Sequence, residues 1–296
     1  MPQTSSPSPV PALVATVVRD AARRFATAGV PEAQVDAELL VAHVLATSRG
    51  GVQAAAVRGD RMPEDAAAAL ASLIDRRCAR EPLQHLTGVA PFRSLELAVG
   101  PGVFVPRPET EMVAQLSIDA LRAMASASPI AVDLGTGSGA IALAMATEVP
   151  HARVFAAENS VDAFIWTTLN HRRVGAENLT LAFADLAVAF AELDGTVSVV
   201  ASNPPYVPDD AIPRDPEVRL YDPPAALYGG PDGLDAVRRL SLVGLRLAHP
   251  GGAIVLEHGE WQGAAIRDIL TDDGWRSAAT HTDLTMRDRA TTAVRP

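Results

Sequence analysis

The sequence predicts an α/β protein with a mostly parallel, Rossmann-like sheet, preceded by a small N-terminal bundle of helices. In the C-terminal two-thirds, short apolar runs end in glycine-rich, acidic or proline-rich turns, a pattern typical of buried parallel strands. In the first 80 residues, apolar side chains recur instead at helical spacing. The length of 296 residues allows one large or two modest domains.

The N-terminal region predicts a short tail followed by a helical domain. Residues 1–9 are rich in proline and serine, with no basic residue before an apolar stretch, so we expect a disordered tail and not a signal peptide. Residues 10–82 predict helices over 10–27, 31–46 and 63–80, with Gly50 and Gly51 as a break between helices. Asp36 and Glu38 are expected on the solvated face. We interpret this domain as a substrate-recognition element; the alternative is a stabilising appendage.

Residues 83–105 predict a connecting hairpin, with strands over 86–92 and 95–99, and residues 106–296 predict the larger domain. Within that domain, residues 129–134 are interpreted as a strand and residues 140–147 as the start of a helix. The glycines between them, at 135, 137 and 139, permit a tight turn and let a ligand approach the backbone. This pattern also fits a dinucleotide-binding fingerprint, so alone it does not identify the ligand.

Two acidic residues follow the next predicted strands. Glu158 ends an apolar run that begins at Val154, where a carboxylate accepts hydrogen bonds from both ribose hydroxyls of an adenosine. Asp185 follows a strand over 179–184 and is expected near the adenine edge. Either residue alone is more simply interpreted as a helix cap or a solvated loop end. Because the carboxyl ends of parallel strands meet at one edge, the series of loops predicts one binding site.

The most informative motif is Asn203-Pro204-Pro205-Tyr206, which follows a buried strand predicted from residue 197. Two prolines end the strand and force a turn. The Asn203 amide and the Pro204 carbonyl can hold a planar NH2 group, and Tyr206 can stack over it. The motif therefore predicts a site that orients a weakly nucleophilic sp2 nitrogen. An isolated motif of this kind could equally be a stiff turn with an asparagine cap.

The sequence after the NPPY motif predicts the last strands of the sheet and a segment that lines a substrate cleft. Residues 208–231 have little periodicity and are expected to be an ordered insertion lining a substrate cleft. Helices over 234–248 and 264–270 and strands over 253–257 and 291–294 follow, with one antiparallel strand near the end of the sheet. His258 and His281 are expected to be structural.

Composition narrows the functional classes. The single cysteine, Cys78, excludes disulfides within the chain and cysteine-based zinc sites. All 25 basic residues are arginines, so a Walker lysine and a Schiff-base lysine are excluded. No apolar run is long enough to cross a bilayer. We therefore expect a cytoplasmic protein with no metal site and no membrane partner. A monomer is expected as well, although the sequence itself does not give the oligomeric state.

Charge is unevenly distributed along the chain. The total net charge is −10, yet residues 1–80 carry 9 arginines and 8 acidic residues. The strongly acidic remainder disfavours binding to duplex nucleic acid, which requires neutralisation of phosphates.

Several segments together resemble one family of enzymes. The loop DLGTGSG (133–139), the acidic strand end at Glu158, Asp185 and the NPPY motif resemble class I S-adenosylmethionine-dependent methyltransferases that modify planar nitrogens. The segments EPLQHLTG (81–88), FVPRPETE (104–111), GGPDGL (229–234), LEHG (256–259) and Asp288-Arg289 narrow this resemblance to the HemK/PrmC family, the N5-glutamine methyltransferases of peptide chain release factors.

The resemblance implies the cofactor, its site and the substrate. S-adenosyl-L-methionine is the implied methyl donor, S-adenosylhomocysteine the product, and the glutamine of the Gly-Gly-Gln motif in class I release factors the acceptor. Asn203, Pro204, Pro205 and Tyr206 are the implied catalytic set. The expected cofactor-binding residues are Arg107, Asp133, Gly135, Thr136, Gly137, Ser138, Gly139, Glu158, Asn159, Asp185, Leu186 and Asn203.

Two positions depart from the family pattern, and the partner of Arg107 has two interpretations. Glu158 stands where the family usually has aspartate, and Leu186 where some members carry an aromatic residue. Arg107 is expected to pair with a carboxylate near the site, on the cofactor or on a neighbouring side chain; the alternative is a surface ion pair with Glu109 or Glu111.

Other functions remain open at this stage. A glutamine methyltransferase acting on a ribosomal protein shares nearly every motif, and a nucleic-acid base methyltransferase shares NPPY. The intact NPPY motif disfavours a non-catalytic binding module. The lack of a second nucleotide-binding half disfavours an NAD-dependent oxidoreductase.

Overall fold

The computed structural model describes residues 11–296, so the predicted tail at 1–9 lies outside the described residues. The chain divides into two compact units, the first ending at Gly88 and the second running from Val89 to Pro296. The sequence predicts the end of the helical domain at residue 82. The difference arises because residues 83–87 form one more short helix, whose Leu86 is buried in the core of the first unit.

The first unit is helical throughout its described part. Its helices are α1 (Val14–Thr27), α2 (Ala33–Val44), α3 (Arg49–Arg58), α4 (Glu64–Cys78) and α5 (Leu83–Thr87). They enclose an apolar core in which Phe25, Leu40 and Leu70 are almost completely buried. Burying side chains of this size supplies the main stabilisation of such a small unit.

The predicted break at Gly50 and Gly51 is wrong, because both glycines lie in the first turn of α3. Ser48 precedes the helix, and its hydroxyl accepts a hydrogen bond from the Gly51 backbone N–H at 3.1 Å. This N-cap starts the helix, and the low helix propensity of glycine is tolerated at its N-terminal end.

The expectation that Asp36 and Glu38 only face solvent is also wrong, since both are buried. Asp36 accepts a hydrogen bond from Arg77 Nε at 2.7 Å. Glu38 accepts hydrogen bonds from three side chains, those of Gln34, Arg49 and Gln53. These charged partners offset the cost of burying the carboxylates, and a helical periodicity gives no sign of them.

The second unit begins with the hairpin β1 (Val89–Phe92) and β2 (Leu95–Ala98), followed by alternating helices and strands. The helices are α6 (Thr110–Ala123), α7 (Ala140–Glu148), α8 (Val161–Val174), α9 (Pro216–Tyr221), α10 (Pro224–Leu227), α11 (Asp235–Leu247) and α12 (Gly263–Asp273). The strands are β3 (Ile130–Leu134), β4 (Arg153–Glu158), β5 (Leu179–Phe183), β6 (Val197–Ser202), β7 (Ala248–Glu257), β8 (Arg276–Thr282) and β9 (Asp288–Val294).

In the described part of the chain, these last seven strands form one sheet in the order β5-β4-β3-β6-β7-β9-β8. The first five are parallel to their neighbours, and β9 pairs antiparallel with both β7 and β8. The chain order reverses beside β3, so the crevice between the carboxyl ends of β3 and β6 is a topological switch point. The predicted mostly parallel α/β fold is confirmed.

Alternate residues of the strands face two separate apolar layers. Ala131 and Val199 contribute to a core with α6 and α7, whereas Val132 and Val200 contribute to a core with α11 and α12. Helices therefore cover both faces of the sheet, as a parallel sheet requires. Burial on both faces explains why these strands are continuous apolar runs.

Strand β8 was not anticipated from the sequence. Its residues, Arg-Ser-Ala-Ala-Thr-His-Thr, are small or polar and mostly exposed at the sheet edge, so they show no apolar alternation.

No helix of the described residues combines the length and apolar character needed to cross a membrane.

Candidate active site

A cavity of about 360 Å³ lies in the second unit, at the carboxyl ends of β3, β4 and β6. It brings together the glycine loop, the end of β4, the NPPY motif and part of the insertion after it. The predicted site residues on its wall are Arg107, Asp133, Gly135, Thr136, Gly137, Ser138, Glu158, Asn159, Leu186, Asn203, Pro204, Pro205 and Tyr206.

The glycine loop leaves open space on its cavity side. Gly135 and Gly137 have φ angles of +72° and +57°, which disfavour residues with side chains. A Cβ atom built on either glycine meets no heavy atom within 4 Å. Gly139 is different: it is not on the cavity wall, and a Cβ there would lie 3.2 Å from Leu143 and 3.3 Å from Thr167. Gly139 thus serves helix packing, not ligand approach.

Asp133 is buried at the base of this loop, with 1% of its surface exposed. Its Oδ2 accepts hydrogen bonds from the Thr136 hydroxyl at 2.6 Å and the Ala142 backbone N–H at 3.1 Å. Oδ1 has no hydrogen-bond partner among the described residues. Burial raises the pKa of Asp133 to about 7. A cationic group bound beside Oδ1 would satisfy this atom and favour the charged form.

The Glu158 carboxylate organises the loop opposite. Its Oε1 accepts from the backbone N–H groups of Asn159 at 2.9 Å and Ser160 at 2.8 Å, and its Oε2 accepts from that of Gly137 at 2.8 Å. Each carboxylate oxygen has two lone pairs, so Glu158 keeps acceptor capacity for a hydroxyl in the cavity.

Asp185 is not brought to the cavity. It is exposed, and its Oδ1 accepts a hydrogen bond from the Ala187 backbone N–H at 2.8 Å. The neighbouring Leu186 lines the cavity instead. In this structure Asp185 caps the turn after β5, and its place near the adenine edge stays a prediction.

The NPPY motif is held from several sides. Asn203 Nδ2 donates to the Thr110 hydroxyl at 3.3 Å, and Gln262 Nε2 donates to the Tyr206 carbonyl at 2.9 Å. Burial, and the nearby carboxyl of Glu257, raise the pKa of Tyr206, so its phenol stays protonated. These contacts fix the backbone of the motif while leaving its side chains on the cavity wall.

The GGPDGL segment packs directly against this motif, which explains its glycines. A Cβ on Gly229 would lie 2.4 Å from the Pro205 carbonyl oxygen, and one on Gly233 would lie 2.2 Å from that of Tyr206. Neither backbone can move away easily, so side chains are excluded at both positions.

Arg107 pairs with Asp222, not with Glu109 or Glu111. Its Nη2 lies 2.5 Å from Asp222 Oδ2, and the Asp222 side chain is fully buried. The surface-pair alternative for Arg107 is therefore wrong, and the expectation of a neighbouring carboxylate is met by a residue 115 positions away. Burial raises the pKa of Asp222, while the Arg107 charge opposes this shift.

Sequence reasoning missed three polar residues at the site: Thr110, Asp222 and Glu257. Thr110 and Glu257 lie in the segments FVPRPETE (104–111) and LEHG (256–259), but neither is a predicted site residue. Asp222 lies in the insertion without periodicity. No short-range pattern identifies them, because their partners come from distant segments.

The residues present fit S-adenosylmethionine. The open space above Gly135 and Gly137 accommodates a ligand against the backbone, and Asp133 supplies an unpaired buried oxygen for a cationic methionine portion. Glu158 offers acceptor capacity for a ribose hydroxyl, and Leu186 an apolar contact for a planar base.

Comparison with solved structures defines the class of the protein. A methyltransferase from Pyrococcus furiosus matches with a TM-score of 0.50 at 19% identity, over 69% of this chain and 90% of that one. A methyltransferase small domain profile matches residues 94–216. The second unit thus has the class I S-adenosylmethionine-dependent methyltransferase fold.

Sequence relatives define the family. A PrmC N-terminal domain profile matches residues 16–88. The release factor glutamine methyltransferase of Streptomyces coelicolor is 48% identical over 284 residues, which are 95% of this chain and 98% of that protein. The chain belongs to the family of release factor glutamine methyltransferases. A Streptomyces pristinaespiralis protein named 4-amino-L-phenylalanine/4-methylamino-L-phenylalanine methyltransferase is also 36% identical, over 89% of this chain and 88% of that protein.

Proposed function

We propose that this protein methylates the side-chain amide nitrogen, N5, of the glutamine in the Gly-Gly-Gln motif of class I peptide chain release factors. The observation that supports this most is the location of Asn203 and Tyr206 on the same cavity wall as the glycine loop. The name and the 48% identity of the Streptomyces coelicolor relative support the choice of substrate.

The residues of the cavity can perform what this reaction demands. S-adenosylmethionine supplies a methyl group on a positively charged sulfur. An amide nitrogen is a poor nucleophile because its lone pair is delocalised, so positioning matters most, and it can contribute ~7–11 kcal/mol. Asn203 Oδ1 and the Pro204 carbonyl would accept the two N–H groups of the substrate amide. These fixed dipoles stabilise the positive charge that develops as the nitrogen is methylated.

Tyr206 would hold the plane of the substrate amide without acting as a base. Its raised pKa keeps the hydroxyl neutral across the physiological range. A base is not required for the displacement itself, since the proton of the methylated nitrogen can leave afterwards to solvent. Phenylalanine at position 206 should therefore preserve most activity if stacking is the role.

A test is incubation of the purified protein with labelled S-adenosylmethionine and a panel of acceptors, followed by mass spectrometry. The panel contains intact class I release factors, ribosomal proteins, 4-amino-L-phenylalanine, DNA and RNA. We expect one methyl group on the Gly-Gly-Gln glutamine. Methylation of any other acceptor with the release factor left unmodified would overturn the proposal.

A second candidate substrate is a small aromatic amine such as 4-amino-L-phenylalanine. It is favoured by the Streptomyces pristinaespiralis relative, and its NH2 group also lies in the plane of a conjugated system. A ribosomal-protein glutamine is a third candidate that would use the same contacts. The acceptor panel separates all three.

We propose, in addition, that the enzyme works as a cytoplasmic monomer without nucleic acid. We further propose, as the first point to test, that the helical unit recognises the protein substrate. The match to a PrmC N-terminal domain supports the first point. Val57 on α3 is 90% exposed and suits a test. Val57→Asp should raise KM for the intact release factor but not for a short Gly-Gly-Gln peptide. Light scattering checks the oligomeric state.

A further inference from the structure

A buried carboxyl lies behind the NPPY motif and has no part in the chemistry described above. Glu257 is the last residue of β7, the strand beside β6, and only 1% of it is exposed. Its Oε2 has no hydrogen-bond partner among the described residues. A buried carboxyl with a vacant oxygen is costly, so its retention calls for a reason.

Glu257 contacts the side chain that is expected to bind the substrate. Thr110 and Asn203 lie next to the Glu257 carboxyl, and their side chains favour its charged form, which lowers its pKa against the effect of burial. Asn203 Nδ2 also donates to the Thr110 hydroxyl at 3.3 Å, and Thr110 is itself 3% exposed. The three side chains, from β7, α6 and the turn after β6, thus lie together in one cluster.

We propose that Glu257 is a positioning residue whose carboxylate, together with Thr110, holds the Asn203 NH2 group so that Asn203 Oδ1 faces the cavity. This inference rests on the proposed function, in which Asn203 Oδ1 accepts from the substrate amide. The two ends of an asparagine amide have nearly the same shape, so packing alone does not select one orientation. An ionised carboxylate only accepts hydrogen bonds and therefore selects the NH2 end.

Protonation of Glu257 would weaken this selection, because a carboxylic acid also donates and can pair with the oxygen of a flipped amide. The other charged or titratable groups facing Glu257 are Arg289 on β9, Glu109 before α6 and Tyr206. Burial raises the pKa of Glu257 to about 7, Arg289 opposes the shift and Glu109 adds to it. The productive Asn203 orientation should therefore become more populated as pH rises through about 7.

The orientation can be observed without any substrate. The chain contains only four asparagines, at 159, 170, 178 and 203, so selective ¹⁵N-asparagine labelling yields four side-chain NH2 signals. Asn203→Asp identifies the signal of interest by its loss. We expect that signal to shift with pH, with a midpoint near 7, and to become pH-independent in Glu257→Gln. A pH-independent signal in the native protein, or a titration that persists in Glu257→Gln, would overturn the inference.

Turnover gives a second readout. Glu257→Gln can donate as well as accept, like the protonated acid, so it should lower kcat toward the value of the native enzyme at low pH and remove any pH step near 7. Glu257→Leu and the isosteric Thr110→Val should lose roughly 10- to 100-fold in kcat, the range seen when a residue that orients a functional ligand is removed. S-adenosylmethionine affinity by calorimetry should not change.

Ser117→Ala is the matched control, since Ser117 is a buried α6 hydroxyl that donates to the Val113 carbonyl at 2.8 Å and, among the described residues, has no bond to the cluster. It should keep full kcat. If the native enzyme methylates a release factor and both Glu257→Leu and Thr110→Val keep kcat, Glu257 has no positioning role. If Glu257→Leu does not fold, Thr110→Val and the NMR titration decide. If the native enzyme methylates no release factor, the proposed function fails, while the NMR titration still tests the orientation of Asn203.

Discussion

In the proposed function, Asn203 is the residue whose side chain distinguishes a methyltransferase of planar nitrogens from a general cofactor-binding fold. Asn203→Ala removes one preorganised acceptor from the cavity, and losses of ~10²–10³ in kcat are typical of such changes. The cofactor contacts on the glycine loop are untouched, so S-adenosylmethionine affinity should stay near the native value. Single-turnover methylation and calorimetry together measure both effects.

Asn203→Asp is a more specific test of the Asn203 side chain than Asn203→Ala. It keeps the shape and an acceptor but removes the NH2 group and adds a carboxylate beside Glu257, which is buried. We expect it to be less active than the native enzyme and to recover as pH falls, because protonation relieves repulsion between the two carboxylates. A cofactor affinity that collapses in either variant would assign Asn203 to cofactor binding instead.

Gly137 tests the cofactor site at the same scale. Its φ of +57° and the open space around a built Cβ predict that alanine fits but projects into the cavity. Gly137→Ala should weaken S-adenosylmethionine binding by at least tenfold, about 1.4 kcal/mol. Calorimetry measures this directly.

Gly175 provides a matched control for that variant. It ends α8 with a φ of +70°, and a Cβ there also meets nothing within 4 Å, but it does not line the cavity. Gly175→Ala should cost about the same backbone strain, roughly 1 kcal/mol, and leave cofactor affinity unchanged. Equal affinities of the two variants would place the cofactor elsewhere.

At the scale of elements, the Arg107–Asp222 pair joins the segment before α6 to the end of α9 in the insertion. Removing Arg107 leaves a buried carboxylate without its cation. Arg107→Met should therefore lower the free energy of unfolding by about 3 kcal/mol at pH 7, as expected for a broken buried pair. Urea denaturation measures this loss.

The loss should shrink at lower pH, because the pKa of Asp222 is raised by burial and rises further without Arg107, so the side chain can take up a proton. Adding Asp222→Asn to Arg107→Met should recover much of the stability at pH 7. Equal destabilisation at pH 5 and pH 7, with no rescue by the second substitution, would show that the loss does not come from the unpaired charge of Asp222.

Elements were predictable where the determinant is local. Strands β3, β4 and β6 are buried on both faces, so their apolar runs are visible in the sequence, and the glycine loop and NPPY are contiguous motifs. Helix α3 was missed because its N-cap at Ser48 outweighs two glycines. Asp222 and Thr110 were missed because their partners lie 115 and 93 residues away, and no sequence spacing records such contacts.

For the whole molecule, the buried carboxyls with raised pKa values, those of Asp133, Asp222 and Glu257, give a pH dependence of stability with a defined sign. Burial raises the pKa of both Asp133 and Glu257 to about 7. In the unfolded chain these groups titrate near 4. Between about pH 4 and pH 7 the unfolded chain thus releases protons that the folded protein keeps. Stability should fall over this window and level off above it.

The expected change is a few kcal/mol for each group, at 1.36 kcal/mol per pKa unit. Carboxylates with lowered pKa values, such as Asp232 and Asp283 at about 2, lose their contribution only at lower pH and leave this window unaffected. Urea unfolding at pH 5, 6, 7 and 8 should show the decline. Asp133→Asn and Glu257→Gln should each flatten it, and the double variant should remove most of it.

Cofactor binding should change this profile through Asp133 alone. If the cationic methionine portion of S-adenosylmethionine lies beside the vacant Oδ1 of Asp133, binding favours the ionised carboxylate and releases a proton near neutral pH. Affinity should then increase as pH rises from 6 to 8, and calorimetry in buffers of different ionisation enthalpy should detect the proton. Glu257→Gln should retain this dependence and Asp133→Asn should lose it. A dependence that vanishes in Glu257→Gln instead would assign the coupled proton to the cluster behind Asn203.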